Sequence, residues 1–122
     1  MKTGKNISEC INACVACELA CVSCADSCLN EPDQHALTKC IRLDLDCADV
    51  CNATARILSR QIEVDLELVR LQLSACVRAC NSCAEECSHH TTKHMHCKAC
   101  EEACQRCEEQ CNKLLRDLTA AR

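Results

Sequence analysis

Cysteine recurs along this chain in steps of three and four, and that rhythm limits what the chain can fold into. Cys10, Cys14, Cys17, Cys21, Cys24 and Cys28 alternate the two steps, as do Cys76, Cys80, Cys83 and Cys87, and again Cys97, Cys100, Cys104, Cys107 and Cys111. Cys40, Cys47 and Cys51 keep the same phase with one position skipped. A mean step of about 3.5 residues is the repeat of a packed helical seam, so each run predicts one α-helix with thiols along a single face. Four such stripes are buried together only when the helices turn them onto a common axis.

The remaining residues agree. One Gly, one Pro and no Phe, Tyr or Trp accompany many Leu, Ala, Glu, Lys, Arg and Gln, a mixture that favours helix over sheet throughout. Without aromatic rings the interior is left to Cys, Ala, Leu, Ile and Val, which lets the helices close around a narrow lumen. At 122 residues the chain is expected to form one domain, 1–122, burying about two-thirds of its unfolded surface.

Asn6 and Glu9 have capping-box spacing, so a first helix is expected from Asn6 to Leu29 or Asn30. Glu31-Pro32 breaks the chain, and Asp33 is expected to cap a second helix running to Ser59. Arg60 and Gln61 then turn into a third helix over Ile62–Ser88, and His89–Lys93 connect to a fourth over Lys93–Thr119. Connections this short make neighbours antiparallel. The prediction is an all-α protein, an antiparallel up-down four-helix bundle with a Cys-lined core.

Following each stripe past its last cysteine separates the two ends. Ile7, Leu58, Ile62, Leu66, Val69, Leu73, Leu114 and Leu118 are expected to form an aliphatic plug at one end. Cys28, His35, Cys87, His89, His90, His94, Met95, His96 and Cys97 gather at the other.

Cysteine often serves as a small buried hydrophobe, which would account for one or two core positions. Eighteen on aligned stripes need another reason, because Cys and Ala supply less apolar volume than Leu. Disulfides fit poorly: side chains four apart on a helix run nearly parallel, whereas a bridge needs a torsion near ~90°. Metal fits better. Thiols lose their protons to bind it, so full loading places eighteen negative charges in the interior, a prohibitive burial unless neutralised. Zn²⁺ takes four thiolates, leaves each isolated site at about -2 and allows about four sites. Cu(I) takes two or three thiolates and, when they bridge, approaches about one ion per sulfur, close to neutrality.

Eight C-x-x-x-C pairs, Cys10/Cys14, Cys17/Cys21, Cys24/Cys28, Cys47/Cys51, Cys76/Cys80, Cys83/Cys87, Cys100/Cys104 and Cys107/Cys111, use sixteen of the cysteines. Their expected spacing of ~4.5 Å suits a near-linear S–Cu(I)–S unit. Cys40 and Cys97 are left to pair with each other or with histidine. The ferredoxin run C-x-x-C-x-x-C is absent, which argues against iron–sulfur clusters. His89, His90, His94 and His96 read either as a solvated connection or, with Met95, as weaker Cu(I) donors that pass ions inward. The candidate metal ligands are the eighteen cysteines with His35, His90, His94 and Met95. Asp44 lies about 40° off the Cys40–Cys47 line. It reads most simply as a flank residue, against a lumen ligand or a buried partner for Arg or Lys.

A net charge of -4 with no basic stripe or aromatic platform gives nucleic acid no docking surface. No run approaches the ~18 apolar residues of a membrane span, and Met1–Glu9 has no apolar signal core; a cytosolic protein is expected. No catalytic triad, phosphate loop or isolated reactive Cys with a base stands out, so no enzymatic activity is expected.

Cys47-Ala48-Asp49-Val50-Cys51, Cys80-Asn81-Ser82-Cys83-Ala84-Glu85-Glu86-Cys87 and the run from Cys97 through Cys100-Glu101-Glu102-Ala103-Cys104 to Cys107 give the chain a further property. It resembles, over essentially its whole length, the cysteine-rich four-helix-bundle copper storage proteins of bacteria. The resemblance implies a homotetramer of the cytosolic branch that holds many Cu(I) ions on inward-facing thiolates. Leu43 and Asp44 depart from the dense cysteine pattern and leave the content of that layer open. The expected function is storage or sequestration of multiple Cu(I) ions. The alternatives are a zinc or mixed-metal thiolate reservoir, similar in role to a metallothionein, and a thiol redox protein.

Overall fold

The computed structural model describes residues 2–120. They form α1 (Lys2–Leu29), a single 3-10 turn (Gln34–Leu37), α2 (Thr38–Leu58), α3 (Leu66–Ser88) and α4 (Met95–Ala120). Among the described residues there is no strand. Each helix packs along two neighbours, in the cycle α1–α2–α3–α4–α1, while the diagonal pairs face one another only across the central axis. This is the up-down bundle expected from the stripes, with helices roughly 30 to 42 Å long at 1.5 Å per residue.

Helix starts differ from expectation for local reasons. Asn6 does not cap α1. It lies one turn inside the helix, 3% exposed, and donates its side-chain amide to the Asp117 carboxylate on α4. A residue with capping chemistry is used here to tie two helices together. The third helix starts at Leu66 rather than Ile62, because the Asp65 carboxylate accepts from the Leu68 backbone N–H at 3.2 Å. Glu67 adds negative charge to the first turn, where the helix dipole favours it. The connection before it is therefore longer than a two-residue turn and includes Glu63 at φ 57.

Asp33 makes no capping bond to the following turn. The 3-10 turn intervenes before α2, and its Leu37 is fully buried in the core. The histidine end is thus stoppered in part by a leucine that the stripe pattern does not reveal. At the opposite end Leu58, Val69, Leu73 and Leu114 are buried, with Ile7 and Leu118 packed against them. Ile62 stands outside that plug at 91% exposure, carried into solvent by the longer connection, and Leu66 sits at its rim.

α1 is the one element among the described residues long and apolar enough by composition to cross a bilayer, with an 18-residue window in Gly4–Leu29 of mean hydropathy 1.5. The six cysteines of its stripe lie within Gly4–Leu29, and they are turned into the bundle against α2 and α4 rather than outward.

Candidate metal centre

All eighteen cysteines point inward, none more than 1% exposed, and all are free thiols. The 3.5-residue repeat accounts for this, since it keeps each sulfur on the seam over the full length of its helix. Neighbouring sulfurs lie 3.6 to 4.0 Å apart, far beyond the ~2.05 Å of a disulfide. The shortest separations run between helices rather than along one: Cys10 to Cys111, Cys14 to Cys107 and Cys40 to Cys87 are each 3.6 Å. Cys21 and Cys83 bridge the α1/α3 diagonal at 3.9 Å, and Cys51 and Cys107 bridge the α2/α4 diagonal at 3.9 Å.

This changes the expected coordination unit. Along single helices, Cys17/Cys21 and Cys47/Cys51 stand at 3.9 Å. That is too short for a straight S–metal–S unit and close to the edge of a three-coordinate Cu(I) site, about 3.9 Å for ordinary bond lengths. Cys40 and Cys97, left over from the helical pairing, find partners across helices: Cys40 meets Cys87, and Cys97 lies 3.9 Å from Cys24.

Sulfurs also converge in fours. Cys14, Cys76, Cys107 and Cys111 form one quartet; Cys17, Cys51, Cys80 and Cys107 a second. Cys17, Cys21, Cys47 and Cys104 form a third, and Cys21, Cys83, Cys100 and Cys104 a fourth, each with its sulfurs within 4.8 Å of one another. Cys17, Cys21, Cys104 and Cys107 each belong to two of these. Isolated tetrahedral ions cannot occupy both quartets that share a sulfur unless that sulfur bridges. Bridging is what a one-to-one ratio of soft monovalent ions to thiolates requires.

Asp44 is not a flank residue. It is fully buried, and its Oδ1 accepts from the thiols of Cys83 at 3.1 Å, Cys100 at 3.2 Å and Cys87 at 3.8 Å, while Oδ2 lies 4.0 Å from Cys40. No Lys or Arg pairs with it among the described residues. Burial first, and then the neighbouring Cys100 and Cys40, push its carboxyl up to about 8, so at neutral pH the group is mainly protonated in the metal-free protein. Burial likewise pushes the Cys28 thiol up to about 12 and raises Cys97. Thiol–thiol hydrogen bonds act the other way on Cys40, Cys47 and Cys100, whose pKa values fall, so the metal-free core holds protons unevenly, and a cation that binds a protonated thiol must displace its proton.

The histidine end sorts its candidates. His96 turns Nδ1 toward three sulfurs, Cys24 at 3.6 Å, Cys97 at 3.6 Å and Cys28 at 4.0 Å. The predicted His90 and His94 are held by carboxylates instead. Nε2 of His90 lies 2.9 Å from Glu86, and His94 is gripped at both nitrogens, by Glu31 at 2.8 Å and Asp33 at 3.3 Å. His35 is exposed, and Met95 is 75% exposed; the structure brings neither to a sulfur. Among the described residues, His96 and Asp44 thus bring non-cysteine donor atoms against the column. His96 precedes Cys97 and was hidden among five histidines, whereas Asp44 sits four residues after Cys40, on the stripe's own step.

A family model for copper storage proteins matches residues 3–116. The chain belongs to the copper storage protein family. One solved structure of the family, a cytosolic copper storage protein from Streptomyces lividans with copper loaded (five coppers), is 47% identical, with a TM-score of 0.93 over 93% of this chain and 95% of that one. A second, the Cu(I)-bound copper storage protein of Bacillus subtilis, is 36% identical, with a TM-score of 0.80 over 90% of this chain and 98% of that one. An uncharacterised cysteine-rich protein of Bacillus subtilis strain 168 is 39% identical over 89 residues, 73% of this chain and 77% of that protein. Family membership and the converging sulfurs together make this a copper storage bundle, and the column described above is the feature that suits it to hold several ions.

Proposed function

We propose that this chain stores Cu(I) in the cytosol, with the eighteen cysteines as ligands and Asp44 and His96 as the oxygen and nitrogen donors at the sparse layer and the histidine end. The observation that carries this reading is the sharing of sulfurs between neighbouring quartets. It favours bridged Cu(I) over isolated Zn²⁺ sites. Each Cu(I) replaces a thiol proton, so the loaded column stays near neutral. His90 and His94, set among Glu31, Asp33 and Glu86, line the approach through which ions reach the sulfurs. With d¹⁰ ions fully coordinated by protein, no position is left for a substrate, and the role is storage rather than catalysis.

The bundle works as a single domain assembled into a homotetramer. Val15, Leu19 and Val22 on α1 and Leu45 on α2 supply an exposed apolar stripe suited to contact between copies.

Titration of reduced metal-free protein with Cu(I) against a chromogenic chelator tests the reading. Saturation well above about ten ions per chain is expected. Saturation with about four Zn²⁺ and no excess of Cu(I) would favour a zinc reservoir; reversible oxidation of particular pairs without tight metal binding would favour a redox role. Light scattering on the same samples reads the tetramer.

A further inference from the structure

The four donors at the histidine end differ from the rest of the column in kind. Cys24 and Cys28 come from α1, Cys97 and His96 from α4, and the four ligand atoms lie within 4.8 Å of one another. None of these three sulfurs belongs to the four all-cysteine quartets described above, and Cys24 joins the site to the column through its neighbours Cys40, Cys87 and Cys100. Three thiolates and one imidazole form a closed set typical of structural zinc. The Cys24–Cys97 edge and the three edges to His96 fit as well, while Cys24–Cys28 and Cys28–Cys97 lie within 4.8 Å. With Zn–S near 2.3 Å and Zn–N near 2.05 Å, a tetrahedron has S···S edges of about 3.8 Å and S···N edges of about 3.5 Å. The Cys24–Cys97 separation is 3.9 Å, and Nδ1 of His96 lies 3.6 Å from both Cys24 and Cys97 and 4.0 Å from Cys28.

The other face of the ring completes the pattern. Nε2 of His96 is buried and without a hydrogen-bond partner, and the nearest carboxylate oxygen in an ion-pair arrangement is Oε1 of Glu31 at 4.0 Å. A metal on Nδ1 fixes the proton on Nε2 and aims it at that carboxylate, the second contact that metal-bound imidazoles ordinarily make.

We propose that Cys24, Cys28, Cys97 and His96 form a discrete site for one Zn²⁺, which ties the end of α1 to the start of α4 when copper is scarce. Binding replaces three thiol protons: Zn²⁺ enters, three H⁺ leave, and the site carries one net negative charge. Cu(I) ions then take the same thiolates and release Zn²⁺ as the hydrated ion; only this displacement step rests on the copper reading above. The site would make the histidine end a metal clasp that opens to the stronger thiophile.

Anaerobic titration of the reduced full chain with Co²⁺, a spectroscopic stand-in for zinc, tests the proposal. The intense visible bands of tetrahedral cobalt should appear, with the first and tightest equivalent, about one ion per chain, bound by three thiolates and one imidazole. The bands of this first equivalent should vanish in C28S/C97S and persist in C10S/C111S, whose sulfurs lie at the far end. Because the double serine variant could lose structure, His96→Asn provides a second reading, with Zn²⁺ affinity at least about tenfold weaker while helix content stays the same. Absence of tetrahedral bands, or a first equivalent indifferent to C28S/C97S and His96→Asn, would each overturn the proposal. Adding Cu(I) to the zinc-loaded chain should release about one Zn²⁺ to a zinc indicator, in line with the order of thiolate affinity. Protein that takes up Cu(I) but binds neither Co²⁺ nor Zn²⁺ removes this site and leaves the storage reading standing. Protein that binds one Zn²⁺ but little Cu(I) does the reverse.

Discussion

The carboxyl group of Asp44 accepts from the thiol of Cys83 at 3.1 Å, across the seam between α2 and α3. With Cys100, Cys87 and Cys40 also within 4.0 Å of its oxygens, an ionisable oxygen acid is set among four sulfurs. Its proton is held to about 8 in the fold, against 3.8 for the free side chain. Between those values the folded metal-free protein keeps a proton that the unfolded chain has lost, so the stabilisation is fully present below about pH 4 and disappears as pH rises through about 8. Denaturation of the metal-free protein should therefore show falling stability from pH 5 to pH 8, and Asp44→Asn should flatten that slope. Equal slopes in the two proteins would show that Asp44 does not carry the effect.

Loading should raise the melting temperature. The core is poor in large aliphatic groups at its centre, and cations that bind only the converged thiolates favour the folded state by mass action, about 4 kcal/mol at a thousandfold excess over Kd. Thermal unfolding followed by circular dichroism, with and without Cu(I), reads the difference; coincident curves would remove metal as the filler of the lumen.

Leu73 and Leu114 are fully buried in the aliphatic plug, apart from the sulfur column. Leu73→Ala should cost about 2 to 5 kcal/mol of stability while leaving the number of Cu(I) ions bound unchanged. Denaturant titration and copper titration on one preparation give both values. A matching fall in capacity would mean that plug and store are not separable.

Cys107 serves two quartets at once. If its sulfur bridges, Cys107→Ser should lower Cu(I) capacity by about two ions rather than one. A loss of one ion or fewer would describe independent sites, and the bridged column would have to be abandoned.

Asn6 and Asp117 join α1 to α4 near the plug. Asn6→Ala removes a hydrogen bond between a buried amide and a half-buried carboxylate and should cost about 1 kcal/mol, measurable as a lowered denaturation midpoint with unchanged copper uptake.

The stripes were legible because a cysteine every 3.5 residues has one geometric solution, and from them followed the helix number, the bundle and the two unlike ends. The parts that escaped are those where a side chain serves a distant partner. Asn6 has the chemistry and spacing of a cap, but Asp117, more than a hundred residues away, claims it. Asp65 has capping chemistry, but the apolar rhythm running back to Ile62 masks the helix start that it sets. Asp44 keeps the stripe's own four-residue step from Cys40, but a carboxylate usually belongs at the surface, and only the thiols of α3 and α4 explain its burial. Among the histidines, composition could not say which ring turns inward; the carboxylates of Glu31, Asp33 and Glu86 decide it by holding His90 and His94 away from sulfur.

The leucine and valine seal at one end gives the column a direction. If ions enter beside Cys24 and Cys97, as proposed above, their path runs along sulfurs separated by 3.6 to 3.9 Å. They would leave by the way they came. The store would then behave as a stack, in which the copper deposited first, near Cys10 and Cys111, is the last to be withdrawn.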